Sequence, residues 1–383
     1  MLYKLKDIFD LQMWKTPSRN NIEYWNTNDY KWVSIADLTK TDKYIYDTKE
    51  YLSKKAVNES GIKIIPANTV IMSFKLSIGK TAITAEDMYS NEAIMAFHDK
   101  HIVEILPEYI FYLFKYKNWD DGSNKAVMGK TLNKAILSEV EIDICSIEEQ
   151  RKIVNVLDKI MNLISARKKE LSYLDTFTKA RFVELFGDMT LARNDWEKLL
   201  LCDVCDVRDG THDSPKYFTE GYPLFTSKNV SGGKIDFSDC NLICEEDYNK
   251  INQRSKVDVG DILMPMIGTV GKPVIVDSQK KFAIKNVALI KFRENSAVVN
   301  SFIKVLLESD YFDREVINKV RGGTQKFISL GDIRKLNICL PPIKLQNQFA
   351  AFVNEIDKSK SAVKKALDET QLLFDSLMQE YFG

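Results

Sequence analysis

The sequence has little of what enzymes commonly use for catalysis. Its 383 residues include only three histidines, so a histidine-based general base has few candidates. It has no glycine-rich methyl-donor loop, no Asn/Asp-Pro-Pro-aromatic motif of an amino-methylating enzyme, and no magnesium-binding pattern of paired carboxylates and lysine above chance. These absences argue against a catalyst.

Long hydrophobic runs and net charge are missing as well. No apolar run approaches the roughly 20 residues of a membrane helix, and the N-terminus lacks a signal-peptide core with a small-residue cleavage site. We therefore expect a cytoplasmic protein with no membrane contact. Because 54 Lys and Arg balance 54 Asp and Glu, any surface that attracts nucleic acid must be local.

Six cysteines in a chain of this size are typical of reduced thiols rather than of a disulfide framework. Cys202, Cys205, Cys240 and Cys244 have C-x2-C and C-x3-C spacings, which zinc sites also use. The first two lie in the apolar stretch LLLCDVCDV, so burial as small hydrophobic side chains is the simpler interpretation. We expect no metal site.

The stretch from Ile147 to Gly187 has no proline, and no glycine before its last residue. Its apolar residues recur by threes and fours, which predicts one long helix with an apolar seam. The seam residues are Ile153, Leu157, Ile160, Ile164, Leu171, Leu174 and Leu185. About 40 residues at 1.5 Å each make a rod of roughly 60 Å, which needs a packing partner.

A second stretch, beginning at Ile343, repeats this pattern. At one constant offset Gln150 falls on Gln346 and Leu157 on Val353, together with many further matches, which indicates a duplication. The second seam consists of Val353, Ile356, Leu367, Phe374, Leu377 and Tyr381. Two helices with half-seams would bury each other as a coiled coil.

This pairing has an alternative, namely two unrelated surface helices that each pack on their own domain. Arg167, Thr178 and Arg181 stand where a strict heptad would be apolar, so the seam of the first helix is imperfect. The shared offset favours the pair.

The segments before the two helices repeat as well. Ile65–Thr84 lies on Val257–Val276 without a gap, and this places Met72 on Met264. Both segments mix strand-like apolar runs, bounded by turn residues, with one helix-like stretch. The sequence therefore predicts two similar α/β units, each followed by a long helix.

Both copies carry a Gly-Lys pair between two predicted strands. The tripeptide GKT at 79–81 resembles the end of a P-loop, but Phe74 replaces its first glycine and Pro273 replaces the hydroxyl residue in the second copy. A tight turn is the better interpretation. At its tip, Lys80 or Lys272 could still contact a nucleic-acid phosphate.

Two polar loops occupy corresponding early positions of the two copies. TPSRNNIEYW at 16–25 and VRDGTHDSP at 207–215 combine Arg, Asn, Thr, His and Asp with turn-forming residues. Such side chains can bond base edges in a DNA groove. A polar surface loop is the alternative for any one of them, but the occurrence of both favours recognition.

These stretches resemble a known family. SIEEQRKIVNVLDKI with the later ELFGD, and LPPIKLQNQ with the later EYFG, are similar to the two helical regions of specificity subunits of type I restriction-modification systems. TPSRNNIEYWNTNDYKWVSIADL and VRDGTHDSPKYFTEGYPLFTSKNVSGGKID resemble openings of that family's target recognition domains. GGTQKFISLGDIRKLNICLPP resembles the exit from such a domain into the helix, and the likeness covers nearly the whole chain.

The resemblance implies an α+β fold in which two similar α/β target recognition domains are separated by two long antiparallel helices that form a coiled coil, with pseudo-two-fold symmetry. The expected parts are target recognition domain 1 at 1–145, the central long helix at 146–188, target recognition domain 2 at 195–341 and the C-terminal long helix at 342–383.

The resemblance also implies a function. Each domain would read one half of a bipartite, asymmetric double-stranded DNA target, while the helical bar sets the spacing and docks two methyltransferase subunits. Restriction (motor-nuclease) subunits would join them. The chain itself would be non-catalytic and bind no cofactor, since S-adenosylmethionine, ATP and Mg²⁺ would belong to the partner subunits.

The candidate DNA-binding residues follow from the loops and turns above. Phosphate contacts are expected from Lys80, Lys272 and Lys326. Base readout is expected from Arg19, Asn20, Arg208, Thr211 and His212. Further DNA-binding candidates are Thr16, Ser18 and Lys228. Two other functions remain open at this point: a self-contained DNA methyltransferase or nuclease with disguised motifs, and a coiled-coil scaffold that does not bind DNA.

Overall fold

The structure is a computed structural model that describes all residues except 26, 76, 120–131, 190–195, 231–232, 268–270 and 320–326. The chain divides into two compact units. The first unit consists of Met1–Arg167 and Ala366–Gly383, and the second unit consists of Lys168–Lys365. Among the described helices, none is long and apolar enough to cross a membrane.

The first unit is built from short strands and helices around a mixed sheet. Its strands are β1 (Leu2–Lys4), β2 (Phe9–Gln12), β3 (Tyr30–Val33), β4 (Tyr44–Ile45), β5 (Glu50–Leu52), β6 (Val70–Ser73), β7 (Thr81–Thr84), β8 (Tyr89–Ser90), β9 (Ile94–Asp99) and β10 (Glu141–Asp143). Its helices are α1 (Leu5–Ile8), α2 (Ile35–Lys40), α3 (Lys54–Ser60), α4 (Pro107–Tyr116), α5 (Lys134–Glu139) and the first part of α6 (Ile147–Phe186).

The second unit contains the remaining elements. Its strands are β11 (Glu197–Leu200), β12 (Asp206–Asp209), β13 (Tyr222–Phe225), β14 (Asn241–Ile243), β15 (Ile262–Pro265), β16 (Val274–Ile275), β17 (Ala283–Ile284), β18 (Val287–Lys291) and β19 (Asn337–Leu340). Its helices are α7 (Leu201–Val204), α8 (Glu245–Ser255), α9 (Asn300–Leu307), α10 (Asp310–Glu315), α11 (Leu330–Arg334) and most of α12 (Ile343–Phe382), whose last part belongs to the first unit.

Both units arrange their strands in the same order, except that the larger sheet of the first unit has one additional edge strand, β4. The larger sheet runs β2-β9-β6-β7-β4 in the first unit and β12-β18-β15-β16 in the second. The smaller sheets are β5-β3-β8 and β14-β13-β17, and in each the central strand pairs antiparallel with one neighbour and parallel with the other. A two-stranded pair, β1 with β10 or β11 with β19, completes each unit. The predicted duplication of two α/β units is confirmed.

The apolar runs that identified the duplication form the central strands of the larger sheets. In β6, Val70 and Met72 face one hydrophobic cluster and Ile71 faces another. In β15, Met264 and Leu263 are divided in the same way. Because both faces of each strand are covered, the run is apolar throughout instead of alternating.

Each unit also packs parts of both long helices into its core. The first unit's main cluster combines Ile153, Leu157, Ile160 and Ile164 of α6 with Phe374 and Met378 of α12. The second unit's main cluster combines Phe182 and Phe186 of α6 with Phe349 and Val353 of α12. The two helices are therefore partners, and the alternative of unrelated surface helices is wrong.

The direction of the pair is visible inside the second unit. Asp175 of α6 forms an ion pair of 2.7 Å with Lys360 of α12. Further along α6, Phe182 meets Phe349, with ring centroids 5.5 Å apart. Residue numbers rise on one helix as they fall on the other, so the helices run antiparallel, as expected.

The polar residues that interrupt the predicted seam all have partners. Thr178 is buried, and its hydroxyl donates to the Leu174 carbonyl oxygen at 3.0 Å. Arg167 donates to the Ala366 carbonyl oxygen, and Arg181 pairs with Glu184 at 2.7 Å. These contacts explain how the helix pair tolerates the breaks in its heptad pattern.

A buried glutamine fixes the start of each long helix. The Gln150 side chain accepts from the Leu106 backbone N–H at 2.9 Å and donates to the Glu104 and Cys145 carbonyl oxygens, both at 3.0 Å. Gln346 accepts from the Val299 N–H and donates to the Ala297 and Pro341 carbonyl oxygens, at 2.9, 3.0 and 2.8 Å. Neither glutamine is exposed. Each glutamine uses both its side-chain oxygen and its side-chain nitrogen. This explains why glutamine recurs at the equivalent position of the two helices.

The other contacts that the long helices make within their units differ in kind. In the first unit, Asp158 of α6 accepts from Lys43 at 2.6 Å and from the Tyr112 hydroxyl. In the second unit, Phe182, Phe186, Phe302 and Phe349 form a cluster of rings with centroids 4.9 to 5.6 Å apart. The first unit thus adds a polar network to its apolar packing, in which Tyr112 also meets Phe374 of α12, whereas the second unit relies on this cluster of four rings.

Candidate nucleic-acid interface

The two Gly-Lys pairs form equivalent turns, one between β6 and β7 and one between β15 and β16. Gly79 has a φ of +85° and Gly271 a φ of +80°, a left-handed conformation that favours glycine. The Lys80 and Lys272 side chains are exposed at these turns. The turn interpretation is confirmed, and each larger sheet presents one lysine at a corresponding place.

The first polar loop is held in place by its own arginine. Arg19 forms a two-pronged ion pair with Glu50, with N–O distances of 2.5 and 3.0 Å, and its guanidinium lies 3.7 Å from the Trp25 ring centroid. The Trp25 ring N–H donates to the Ser18 carbonyl oxygen at 3.0 Å. Arg19 therefore shapes the loop from within, through bidentate and stacking contacts that a lysine could not reproduce.

The neighbouring candidate residues of this loop differ in their contacts. Thr16 donates its backbone N–H to Glu92 at 3.0 Å and also bonds it through its hydroxyl. The Thr16 hydroxyl bond is the main reason why the pKa of Glu92 is lowered. Ser18 and Asn20 have exposed side chains beside Arg19. The part of this loop that faces solvent is therefore its tip.

Arg208 lies on strand β12, so the predicted loop at 207–215 begins only after Asp209, and Arg208 is also engaged within its own unit. Its guanidinium donates to Asp206 at 2.9 and 2.5 Å and to the Arg254 carbonyl oxygen at 2.8 Å. The Arg208 hydrogen bond keeps the pKa of Asp206 below its usual value. A base contact by Arg208 would require its guanidinium to exchange one of these partners.

His212 and Thr211 lie directly after β12. The two imidazole nitrogens of His212 lie 2.7 Å from Asn286 Oδ1 and 2.8 Å from Asp209 Oδ2. The Thr211 hydroxyl accepts from the Asp213 backbone N–H at 3.1 Å. Of the predicted residues in this region, His212 contacts the buried carboxylate of Asp209, whereas Thr211 and Arg208 have other partners.

Sequence reasoning did not identify Asp209 and Arg254 as parts of this site. Asp209 has a side chain only 8% exposed, and it also pairs with Arg254 of α8. Asp209 ends strand β12 three residues before His212, and this closeness in sequence was the available signal. Arg254 is remote in sequence, and nothing near it pointed to the loop.

The last two lysine candidates stand apart from these loops. Lys228 is exposed on the short 3-10 helix Ser227–Val230, whose start is organised by the Asn229 side chain, which accepts from the Thr226 N–H at 3.0 Å. Lys326 lies outside the described residues.

The residues that the structure describes contain no group of three or more His, Cys, Asp or Glu able to hold a metal ion. Cys205 is buried in the second unit's main cluster, and burial raises the pKa of its thiol to about 12. Cys240 packs against another apolar cluster of the same unit. The interpretation of these two cysteines as small apolar side chains agrees with their surroundings.

Together these residues offer phosphate contacts and hydrogen bonding rather than a catalytic centre. Exposed lysines on turns can act as point charges towards phosphates, while loops already shaped by internal ion pairs can present donors and acceptors to base edges.

Comparison with known proteins agrees with this description. The family described as "Type I restriction modification DNA specificity domain" matches the chain twice, over residues 1–173 and 193–370. The chain is 28% identical to the type I restriction enzyme MjaIX specificity subunit of Methanocaldococcus jannaschii over 92% of this chain and 85% of that protein. It is 21% identical to the type I restriction enzyme EcoKI specificity subunit of Escherichia coli strain K12, over 93% of this chain and 82% of that protein.

Solved structures show the same fold. The S subunit of a type I restriction-modification system from M. genitalium aligns with a TM-score of 0.57 and 14% identity, covering 100% of this chain and 96% of that one. A chain from a structural study of type I R-M complex assembly and conformational transition aligns with a TM-score of 0.60 and 16% identity, covering 100% and 97%. With its two matched segments, the chain belongs to the family of type I restriction-modification DNA specificity proteins and carries the specificity domain twice.

Proposed function

We propose that this chain gives a type I restriction-modification complex its sequence specificity, and that each unit reads one half of a bipartite, asymmetric DNA target. The observation that carries the proposal is the repeated match of the specificity domain, once over 1–173 and once over 193–370. The matching order of the strands that the two units share, with a polar loop at the corresponding place in each, supports it further.

In this proposal Lys80, Lys272 and Lys326 contact phosphates, and Lys228 is a further DNA-binding residue. The loop with Thr16, Ser18, Arg19 and Asn20 addresses one half-site, and the loop with Arg208, Thr211 and His212 addresses the other. Phosphate contacts give affinity for any sequence, whereas contacts to base edges give selectivity.

The long helices set the spacing and dock two methyltransferase subunits, to which restriction (motor-nuclease) subunits are added. Exposed apolar side chains along both helices support this role, since surfaces of this kind mark protein contacts. They are Tyr173, Phe177 and Val183 on α6 and Leu372 and Leu373 on α12. S-adenosylmethionine, ATP and Mg²⁺ belong to the partner subunits, and the complex works in the cytoplasm.

The deciding experiment is methylome sequencing of a host that expresses this chain with its methyltransferase partner. The expected result is one modified motif made of two short specific halves with an unspecified spacer. A continuous modified motif, or no modification that depends on this chain, would overturn the proposal.

A domain exchange refines the test. Replacing residues 1–145 with the same segment of a relative of different specificity should change one half of the motif and leave the other half and the spacer unchanged. The matched control exchanges 195–341 and should change the other half. A change in both halves from either exchange would contradict the assignment of one half-site to each unit.

Two measurements separate this function from its alternatives. The chain incubated alone with DNA and labelled S-adenosylmethionine should incorporate no label, because the methyl transfer belongs to the partner. With its partner, log affinity for DNA should fall steeply with log salt, since phosphate contacts release counterions. Affinity that is negligible and insensitive to salt would favour a scaffold.

A further inference from the structure

His212 sits between two acceptor oxygens. Its Nε2 lies 2.8 Å from the Asp209 carboxylate and its Nδ1 lies 2.7 Å from the side-chain oxygen of Asn286. A neutral imidazole can donate from only one nitrogen, whereas an imidazolium donates from both. The geometry therefore matches the protonated ring.

The loop that carries His212 lies directly on the backbone of residues 284–286. A side chain at Gly210 would place its Cβ 2.1 Å from the Ile284 carbonyl oxygen, so only glycine permits this approach. The Thr211 N–H donates to that same oxygen at 3.0 Å, and the Asn286 N–H donates to the Thr211 carbonyl oxygen at 3.2 Å.

Two side-chain hydrogen bonds also join the loop to residues 284–286. Lys285 donates its ammonium to the Ser214 hydroxyl at 2.5 Å. The His212 to Asn286 hydrogen bond joins loop and turn at the other end. Besides its backbone hydrogen bonds, the segment 210–215 is held by these side-chain contacts, and His212 supplies the one that titrates near neutral pH.

The charges that face His212 come from three elements. Asp209 at the end of β12 favours the imidazolium, whereas Arg254 on α8 opposes it while sharing the same carboxylate. On the turn before β18, the ammonium of Lys285 is directed to Ser214. The net effect raises the pKa of His212, chiefly through its hydrogen bonds to Asn286 and Asp209.

We propose that His212 is a positioning residue whose proton closes residues 210–215 onto 284–286, and that recognition by the second unit is pH-dependent for this reason. The DNA part rests on the function proposed above. This replaces the base-reading role expected for His212 from the sequence: His212 acts through the loop that it holds, and the other residues of the loop address the half-site.

The direction of the pH dependence follows from the raised pKa of His212. The stabilisation is fully present below about pH 6.5, the ordinary histidine value, and is lost as the pH rises through the higher value in the folded chain. Binding to the half-site of the second unit should therefore weaken over that interval.

The first test needs no DNA. The full chain labelled with ¹³C at its histidine side chains has three imidazole signals, from His98, His101 and His212. The signal removed by His212→Gln should titrate above the ordinary value, and Asp209→Asn should lower its midpoint. A His212 signal that titrates at or below the ordinary value would overturn the proposal.

The second test measures DNA binding by the complex with its methyltransferase partner from pH 6 to pH 8.5. Wild-type affinity should fall with rising pH, by on the order of tenfold per unit of pKa difference between the closed and open loop. His212→Gln should be weaker at pH 6 and nearly independent of pH. His101→Gln is the matched control, because His101 is 86% exposed beside Asp99 in the first unit, and it should keep the wild-type profile.

Duplexes altered at one base pair at a time complete this test. A His212→Gln complex that relaxes its preference at a single base pair, at every pH, would show a base reader and overturn the proposal. If the wild-type complex bound no DNA specifically, the proposed function would fail, while the histidine titration would still decide whether the proton closes the loop.

Discussion

The two units reach the same strand order with different chemistry where they hold the long helices. In the first unit, Asp158 of α6 reaches Lys43 before β4 and Tyr112 of α4. The constant offset between the helices places Asn354 at the corresponding position of the second unit, and Asn354 is exposed. In the second unit, four phenylalanine rings meet at the interface instead.

The aromatic cluster has aliphatic counterparts in the first unit. The positions of Phe182, Phe349 and Phe302 are occupied there by Met378, Ile153 and Ile110, all of which are buried. The backbone arrangement has therefore been kept while the side chains that stabilise it have been exchanged. Buried apolar volume and satisfied hydrogen bonds are interchangeable means of fixing the same helix.

The largest expected effect comes from breaking the aromatic cluster. Phe186→Ala removes a ring that is 2% exposed and touches Phe182, Phe302 and Phe349, so it should lower the free energy of unfolding by about 3–5 kcal/mol. Phe382→Ala at the corresponding position should cost less, because Phe382 is only partly buried. Denaturant unfolding measures both, and equal losses would contradict the comparison.

The buried glutamines should respond alike in the two units. Gln150→Ala and Gln346→Ala each leave one N–H and two carbonyl oxygens without their partner, at a cost of about 1–3 kcal/mol. Hydrogen exchange should show lost protection at Leu106 in the first variant and at Val299 in the second. A large loss of stability in one unit alone would show that the other unit does not depend on its buried glutamine.

Substitutions in the polar stretch of the second unit and in its Gly-Lys turn should affect DNA binding in different ways. Arg208→Ala should change which half-site is accepted, at a cost of roughly 1–3 kcal/mol, because a base contact and its Asp206 support are lost together. Lys272→Ala should weaken all sequences alike and reduce the salt slope by about one. Fluorescence anisotropy with matched and altered duplexes distinguishes them, and a uniform loss from both variants would remove the assignment of roles.

The smallest effect is expected from the polar network. Asp158→Asn removes the charge that faces Lys43, whose side chain is 12% exposed, but keeps an acceptor for Tyr112. Because Asp158 itself is 36% exposed, solvent screening limits the cost to about 1–2 kcal/mol. Asn354→Asp in the second unit is the control and should change stability by less than about 0.5 kcal/mol in thermal unfolding.

The periodic parts of the chain could be predicted from the sequence. The long helices were visible because their apolar seams recur over 40 residues with no internal proline or glycine. The strands Val70–Ser73 and Ile262–Pro265 were visible because two apolar runs align without a gap. Each of these patterns is local and occurs twice in the chain, so the prediction from one copy supports the prediction from the other.

The partners of the polar loops could not be predicted in this way. Arg19 meets Glu50 and His212 meets Asn286 only after the sheets have formed, and no periodicity connects such residues. The burial of Thr178 was hidden for a different reason, because its polar hydroxyl is satisfied by a carbonyl oxygen of its own helix and can therefore lie in the apolar seam. The assignment of DNA contacts to individual residues remains a prediction.

The division of the chain into units has a consequence for its synthesis. Residues 366–383 supply Phe374 and Met378 to the core of the first unit, although the ribosome makes them after the whole of the second unit. The second unit is one continuous segment and can complete its core earlier. Translation that stops before residue 366 would therefore damage the part of the protein that was made first.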